Sequence, residues 1–379
     1  MASEAPRAIT LVYRGQLDIE RSRIEFIVGA LCREFDAVDV VHLSPGIGSD
    51  EARLHEFLAR FPEVRRVSFL PATSRQVLAG RRQLSALVND DASHVVAVGF
   101  SAWPYLVGLH VAAWFINGIP EERLLSSNSL AARTLVRATW WGARAVRSEL
   151  IVVVSTDMAR VVTSRHMRSG RVEVVPNAVD LGTYSTSATG DPVYLTYQGG
   201  GSPWQGLARL AQLWSAMYAL DDRLRFRVIS RDPRTAVLAS GLPGDAVEFV
   251  AATDAGGVAD LLSQARLGFL YRAPSLVNSV SWPMKFGEYL AAGTPVVVTD
   301  CGWDIAPLVD RYDAGLVVRW DDPPDHTART IVDYLDHIGE DRPAGVAGAA
   351  ASLSTTRWEP VVRDSIRSAV TSTPRGAHA

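Results

Sequence analysis

Trp282-Pro283-Met284-Lys285-Phe286-Gly287-Glu288-Tyr289-Leu290-Ala291-Ala292-Gly293-Thr294-Pro295-Val296-Val297-Val298 reads as a short helix delivered into a buried strand. Pro283 opens the helix at a position where its missing N–H would have no partner. Gly293 closes it as a C′ residue, and the valine run after Pro295 suits a covered parallel strand. Lys285 is the one lysine among 38 basic residues. Arginine is a broad planar fork and lysine a compact point charge, so a site that sets a small cation against a phosphate would keep lysine where arginine has replaced it elsewhere. A coding bias with one chance survivor is the alternative. A cation in the first turn of a helix also opposes the helix dipole unless an anion joins it. Glu288, at i+3, shares a face with Lys285, so the two either point together at a ligand or form an ordinary intrahelical pair.

Around this segment, β-rich runs alternate with helical stretches, the pattern of parallel sheets covered by helices. Strands are expected at Ile9–Tyr13, Val38–His42, Val64–Leu70, Val95–Val98, Ile151–Val154 and Val172–Val175 in the first half. In the second they fall at Val193–Tyr197, Phe226–Ser230, Val247–Val250, Leu267–Tyr271, Pro295–Val298 and Gly315–Val318. Polar residues 185–192 suit a linker or turn. The chain therefore reads as α/β, with two doubly wound, Rossmann-like domains, residues 1–180 and 181–355. A lone amphipathic helix and a frayed tail follow over 356–379. In such open sheets ligands bind beyond the carboxyl ends of the strands.

Composition narrows the function. With 47% hydrophobic and 21% charged residues the chain is globular. Residues 1–180 carry 21 basic and 19 acidic side chains and the remainder 17 and 22, for a net charge of −3, which is no nucleic-acid footprint. A local arginine excess from Arg53 to Arg82 leaves peripheral contact with an anionic membrane open. Cys32 and Cys301 form no disulfide framework, and Met1–Thr10 has no apolar leader core, so a cytoplasmic location is expected. Trp103–Ile119 is the most hydrophobic stretch but short for a span, and it is read as a buried helix.

Two further segments sit where strands should end. Tyr197-Gln198-Gly199-Gly200-Gly201-Ser202-Pro203-Trp204-Gln205-Gly206 puts glycines between a strand and a helix, where backbone N–H groups can approach an anion or simply turn the chain. Its spacing is not the dinucleotide fingerprint. Ile229-Ser230-Arg231-Asp232-Pro233 ends a strand in an arginine that either meets phosphate or pairs with Asp232.

Pro283-x-Lys285-Phe286-x-Glu288-Tyr289-Leu290-Ala291-x-Gly293-x-Pro295-Val296-Val297 resembles the nucleotide-sugar segment of retaining GT-B glycosyltransferases of the group 1 type. Val174-Val175-Pro176-Asn177-Ala178-Val179-Asp180 is similar to that family's Val-Pro-Asn-Gly-Val-Asp stretch between domains. Ile151-Val152-Val153-Val154-Ser155-Thr156-Asp157-Met158 is similar to the strand and serine-capped helix before it. The resemblance implies a GT-B fold whose last helix crosses back to the first domain. It further implies transfer of a hexose from a nucleoside diphosphate sugar to a hydroxyl of a glycan, lipid-linked or secondary-metabolite acceptor, with no cofactor or metal. Glu288 would bind the ribose hydroxyls, Lys285 the diphosphate, and Ala251, Ala252 and Thr253 the base.

This sequence departs from the family pattern at three places. Val280 stands where a first glutamate is usual, Gly199 and Gln205 where an arginine and a lysine are usual, and Asn128 where an acceptor-domain histidine is usual. Arg231 and Arg272 are candidates to supply the missing charge, and Asn278 and Ser279 to hydrogen-bond the donor sugar. Lys285, Arg231 and Glu288 are thus the catalytic candidates. Gly15, Gly199, Gly200, Gly201, Gln205, Ala251, Ala252, Arg272, Asn278, Ser279 and Asn128 are the substrate-binding candidates. A non-catalytic nucleotide-binding GT-B subunit and a nucleotide-sugar 2-epimerase remain alternatives. His42, His94 and His110 are read as core or surface residues, and Trp103, Trp114, Trp140 and Trp141 as packing residues, with an acceptor groove as the alternative.

Overall fold

The computed structural model describes residues 8–14, 17–44, 49–72, 76–90, 94–184, 193–252, 254–338 and 344–372. Two compact units emerge, one of residues 1–176 with 356–379 and one of residues 177–355.

The first unit is built on β1 (Ala8–Tyr13), β2 (Ala37–Ser44), β3 (Val64–Pro71), β4 (His94–Val98), β5 (His110–Ile116), β6 (Arg147–Val153) and β7 (Arg168–Val174). They form a parallel sheet in the order β3-β2-β1-β4-β5-β6-β7. The second is built on β8 (Tyr194–Gln198), β9 (Arg225–Ile229), β10 (Val247–Val250), β11 (Ala265–Leu270), β12 (Val296–Asp300) and β13 (Gly315–Arg319). Its order is β10-β9-β8-β11-β12-β13, again parallel. Both sheets run outward from their first strand in one direction and then in the other. Each therefore has a switch point, between β1 and β4 and between β8 and β11, where diverging connections leave a crevice at the carboxyl ends.

The expected buried helix over Trp103–Ile119 is mostly strand. Helix survives only at Trp103–Leu106, Gly108 turns the chain at φ 85°, and His110–Ile116 becomes β5. β5 lies between β4 and β6 with six of its seven residues buried. A strand covered on both faces has no period-2 alternation, so its apolar run cannot be told from a buried helix by pattern alone.

The helix Thr355–Ser372 belongs to the first unit. Val362, Ile366, Ala369 and Val370 join that unit's core, alongside Ile24, Ile27 and Leu31 of the helix Leu17–Cys32. Arg171 Nη2 donates to Ser365 O at 2.7 Å, and Arg367 pairs with Glu34. In the second unit, Trp214 and Phe226 stack at 4.8 Å inside a separate core with Phe269 and Leu210.

Candidate functional site

The lysine segment folds as a helix, Met284–Ala291, in the connection between the switch-point strand β11 and β12, after a helical turn at Leu276–Ser279. Pro283 is its N-cap rather than its first helical residue, with ψ at 134°. Gly293 takes φ 74°, and the Gly293 and Thr294 N–H groups donate back to Leu290 O and Tyr289 O, closing the helix. Two glycines let this helix sit close to its surroundings. A Cβ on Gly287 would lie 3.2 Å from Val179 Cβ, and one on Gly268 of β11 would lie 2.5 Å from the Tyr289 ring. Asn177 Nδ2 donates to Trp282 O just before the helix. The Val-Pro-Asn-Ala-Val-Asp stretch is therefore a support for the lysine helix, through Asn177 at its entrance and Val179 at its middle.

Lys285 is buried at 9% exposure, and its Nζ donates to Gln205 Oε1 at 3.0 Å. The ammonium stands 4.7 Å over the Tyr197 ring, a cation–π contact. It also presses on the glycine loop after β8, since a Cβ on Gly199 would lie 2.6 Å from Nζ. Gly199 has φ 125°, so both its backbone and the ammonium beside it exclude any other residue. No salt bridge to Lys285 occurs among the described residues, which excludes the simple intrahelical pair with Glu288 in this structure. Burial pushes the Lys285 pKa well below its ordinary value, the Arg272 charge lowers it further, and Glu288 opposes both more weakly.

Glu288 Oε2 instead accepts from Gln198 Nε2 at 2.5 Å, and Tyr184 also hydrogen-bonds it. Burial raises the Glu288 pKa, and the bonds from Gln198 and Tyr184, with Lys285 behind them, hold the rise in check. Neither partner is visible from the sequence around residue 288. Gln198 lies 90 positions away and is brought in only by the placement of β8 beside β11.

The glycine loop is narrower in what it offers than its sequence implies. Gly199 N–H donates to Ile229 O at 3.0 Å and Gly201 N–H to Asp232 Oδ2 at 2.8 Å. Two of the three glycine amides are thus committed within the protein, and Gly200 O accepts from Tyr197 Oη at 2.7 Å. Asp232 does not pair with Arg231. It caps the turn Pro233–Ala239, accepts from Arg234 N, and binds the Arg234 guanidinium at 2.6 Å. Those bonds, the Arg234 side chain first, hold its carboxyl far below the usual range. Arg231 Nη2 donates to Ala252 O at 2.8 Å and so ties β9 to the loop of Ala251 and Ala252 after β10. Arg234 also lies against the glycine loop: its Cβ would lie 2.4 Å from a Cβ on Gly201.

The residues after β11 form a buried network. Arg272 is 4% exposed; its main chain exchanges bonds with Thr299 Oγ1, and its Nη1 donates to Ser281 Oγ at 3.0 Å. Asn278 Nδ2 donates to Trp204 O at 3.1 Å and to Ala273 O at 2.8 Å. Both of its amide hydrogens are used on backbone, so in this structure Asn278 positions the Trp204-Gln205 turn rather than offering donors to a sugar. Ser279 Oγ donates to Leu276 O, and Val280, where the family glutamate would stand, is 1% exposed.

Lys285, Gly199, Gln205, Glu288, Arg272 and Asn278 therefore share the carboxyl edge between β8 and β11. Asn128 lies in the other unit, where its Oδ1 accepts from Arg133 Nε at 3.0 Å. Gly15 and Thr253 lie outside the described residues. Trp114 and Trp140 are buried, with indole N–H groups bonded to Gly99 O and Glu121, whereas Trp141 is 76% exposed. Among the described residues, no three His, Cys, Asp or Glu side chains group so as to hold a metal ion. No described helix is long and apolar enough to cross a membrane.

Two parallel sheets of seven and six strands with covering helices make this a GT-B fold, the architecture of GT-B glycosyltransferases. Residues 193–337, which contain the whole lysine site apart from Asn177, Val179 and Tyr184, match the family model for glycosyl transferases group 1. A glycosyltransferase from Rickettsia africae superposes with a TM-score of 0.69 at 13% identity, covering 97% of this chain and 99% of that one. HepE from Anabaena, solved in complex with UDP-glucose, gives 0.71 at 13% identity over 95% and 100%. The sucrose-phosphate synthase of Thermosynechococcus elongatus gives 0.67 at 14% over 93% and 96%. No curated protein matches the sequence.

Proposed function

We propose that this protein is a retaining glycosyltransferase that transfers a hexose from a nucleoside diphosphate sugar to an acceptor hydroxyl. One observation carries the reading: Lys285 is buried at the β8/β11 switch point, against a glycine loop, with no carboxylate bonded to it. Burying an ammonium beside a second buried cation, Arg272, is unfavourable unless something compensates. A diphosphate brings that compensation and converts the cost into affinity. HepE was solved with UDP and with UDP-glucose, which makes UDP the first nucleotide to test.

In this reading Lys285 stabilises the negative charge that grows on the departing phosphate, and the Arg272 charge adds to the local potential. Gln205 aims the ammonium, and Gly199 leaves it room. Glu288, held by Gln198 and Tyr184, accepts hydrogen bonds from the ribose hydroxyls. The leaving phosphate oxygen takes the acceptor proton on the same face of the sugar, which gives retention. Ser281, Ser279 and Arg272 line the region where a first glutamate would otherwise meet the sugar, and Arg234, its guanidinium held by Asp232, packs its stem on the glycine loop. The cation that meets the diphosphate is a side chain, so no cofactor beyond the donor is invoked.

Isothermal titration with UDP, GDP and dTDP, followed by turnover of the matching sugar nucleotides with mixed acceptors, tests the reading. Saturable nucleotide binding with acceptor-dependent turnover and an unchanged anomeric configuration supports it. Binding without turnover favours an inert subunit, turnover without acceptor favours an epimerase, and absence of nucleotide binding removes the proposal.

A further inference from the structure

The helix Leu130–Ala143 packs Ala132, Val136, Trp140 and Ala143 inward and turns its other side to solvent. That outer side carries Leu130, Leu135 and Trp141 at 80%, 45% and 76% exposure. One exposed leucine is ordinary, whereas three large apolar side chains on the outer side of one helix are not. At about 100° per residue Leu130 and Trp141 lie about 20° apart around the axis and about 16 Å apart along it, forming one ridge, and Leu135 lies about 120° farther round, across an arc of exposed Ala131, Thr134 and Ala138. Exposed Arg133 and Arg137 border that ridge on one side.

The surroundings are one-signed. Between Arg123 and Ser148 the chain has five arginines and no aspartate or glutamate. Of the flanking acids Glu121, Glu122 and Glu149, Glu121 takes the Trp140 indole and Arg165, and Glu149 takes His110. No carboxylate pairs with Arg133 or Arg137 among the described residues; Arg133 Nε meets the neutral Asn128.

We infer that this face is a docking surface for an anionic lipid bilayer. Leu130, Leu135 and Trp141 enter at headgroup level, and Arg133 and Arg137 lie against lipid phosphates. Apolar and indole side chains beside arginines on an unpaired helix are what an interfacial helix uses. A second copy of this chain fits poorly, because a two-fold contact over this face would set arginine against arginine. The surface is separate from the Arg53–Arg82 stretch, where Arg60 pairs with Glu25 and Arg65 with Asp39.

Flotation of the full chain with phosphatidylcholine vesicles, and with vesicles that also contain phosphatidylglycerol, is the test. The wild type should partition onto the anionic vesicles and weaken with added salt. Trp141→Ala and, independently, Leu130→Ser should lower the bound fraction several-fold. Arg133→Gln with Arg137→Gln should remove the anionic preference, at about fivefold per arginine. All these side chains are exposed, so thermal midpoints and UDP titrations of the variants should match the wild type. The inference is overturned by absence of vesicle binding, by variants that bind like the wild type, or by loss of binding in Arg53→Gln/Arg82→Gln instead. A concentration-dependent dimer abolished by Trp141→Ala would overturn it in favour of a second copy.

Discussion

Replacing Lys285 with methionine removes the ammonium and keeps the shape of the stem. The loss to turnover is that of one preorganised charge contact to the transition state, about 100-fold to 1,000-fold, or roughly 2.7–4 kcal/mol. The effect on folding should be small. The swap conserves volume, which costs less than about 1.5 kcal/mol, and it trades the 3.0 Å bond to Gln205 for relief of a desolvated charge. The balance depends on pH in a definite direction. Because the folded-state pKa of Lys285 lies below the 10.5 of an unfolded lysine, the unfolded chain holds the proton more tightly. The resulting penalty is present in full below the folded value and fades as pH rises toward 10.5, so the stability of the wild type relative to Lys285→Met should increase with pH across that window. Diphosphate binding should draw a proton back onto Lys285 wherever the free site holds it neutral. UDP titrations in buffers of different ionisation enthalpy would then give different apparent heats for the wild type and equal heats for the variant. Turnover within about threefold of wild type in Lys285→Met would refute the assigned role, and a stability difference independent of pH would refute the buried, depressed ammonium.

Gly199→Ala forces a residue with a Cβ into φ 125° and drives that atom onto Lys285 Nζ. Denaturation should show a loss of about 1–3 kcal/mol, and UDP affinity should fall with it. Glu288→Gln keeps the bonded shape without the charge. Since the folded-state pKa of Glu288 is raised, the wild type should lose stability relative to Glu288→Gln as pH climbs from about the 4.5 of a free glutamate through the folded value, then level off. Asn177→Ala removes the buried donor to Trp282 O and should cost about 1–3 kcal/mol in urea unfolding, with a weaker UDP titration because the lysine helix loses its entrance support.

The lysine segment was legible because its signals are local. A proline, a glycine with positive φ and a β-branched run are chemical necessities of the helix ends and strand that hold them, and Pro283 stands at the helix cap. What joins elements across the sheet was not legible. β5 was missed because burial on both faces erases the alternation that marks a strand. Arg231 and Arg234 are three residues apart at the end of one strand, and the sequence offers no way to choose between them. The choice falls to Asp232, which caps the turn at Pro233 and thereby captures Arg234, leaving Arg231 to bond Ala252.

The same argument bears on positions 199 and 205, where the sequences this chain resembles usually carry cations. An arginine in place of Gly199 would collide with Lys285 Nζ, since even a methyl there comes within 2.6 Å. A lysine in place of Gln205 would set two ammonium groups together where an amide oxygen now accepts from one. Lys285 Nζ fills the space beside Gly199 and bonds Gln205, so placing a cation at either position alone should weaken UDP binding rather than strengthen it. A Gln205→Lys variant that bound UDP more tightly would show instead that the site has room for a second cation and that Lys285 does not occupy its place.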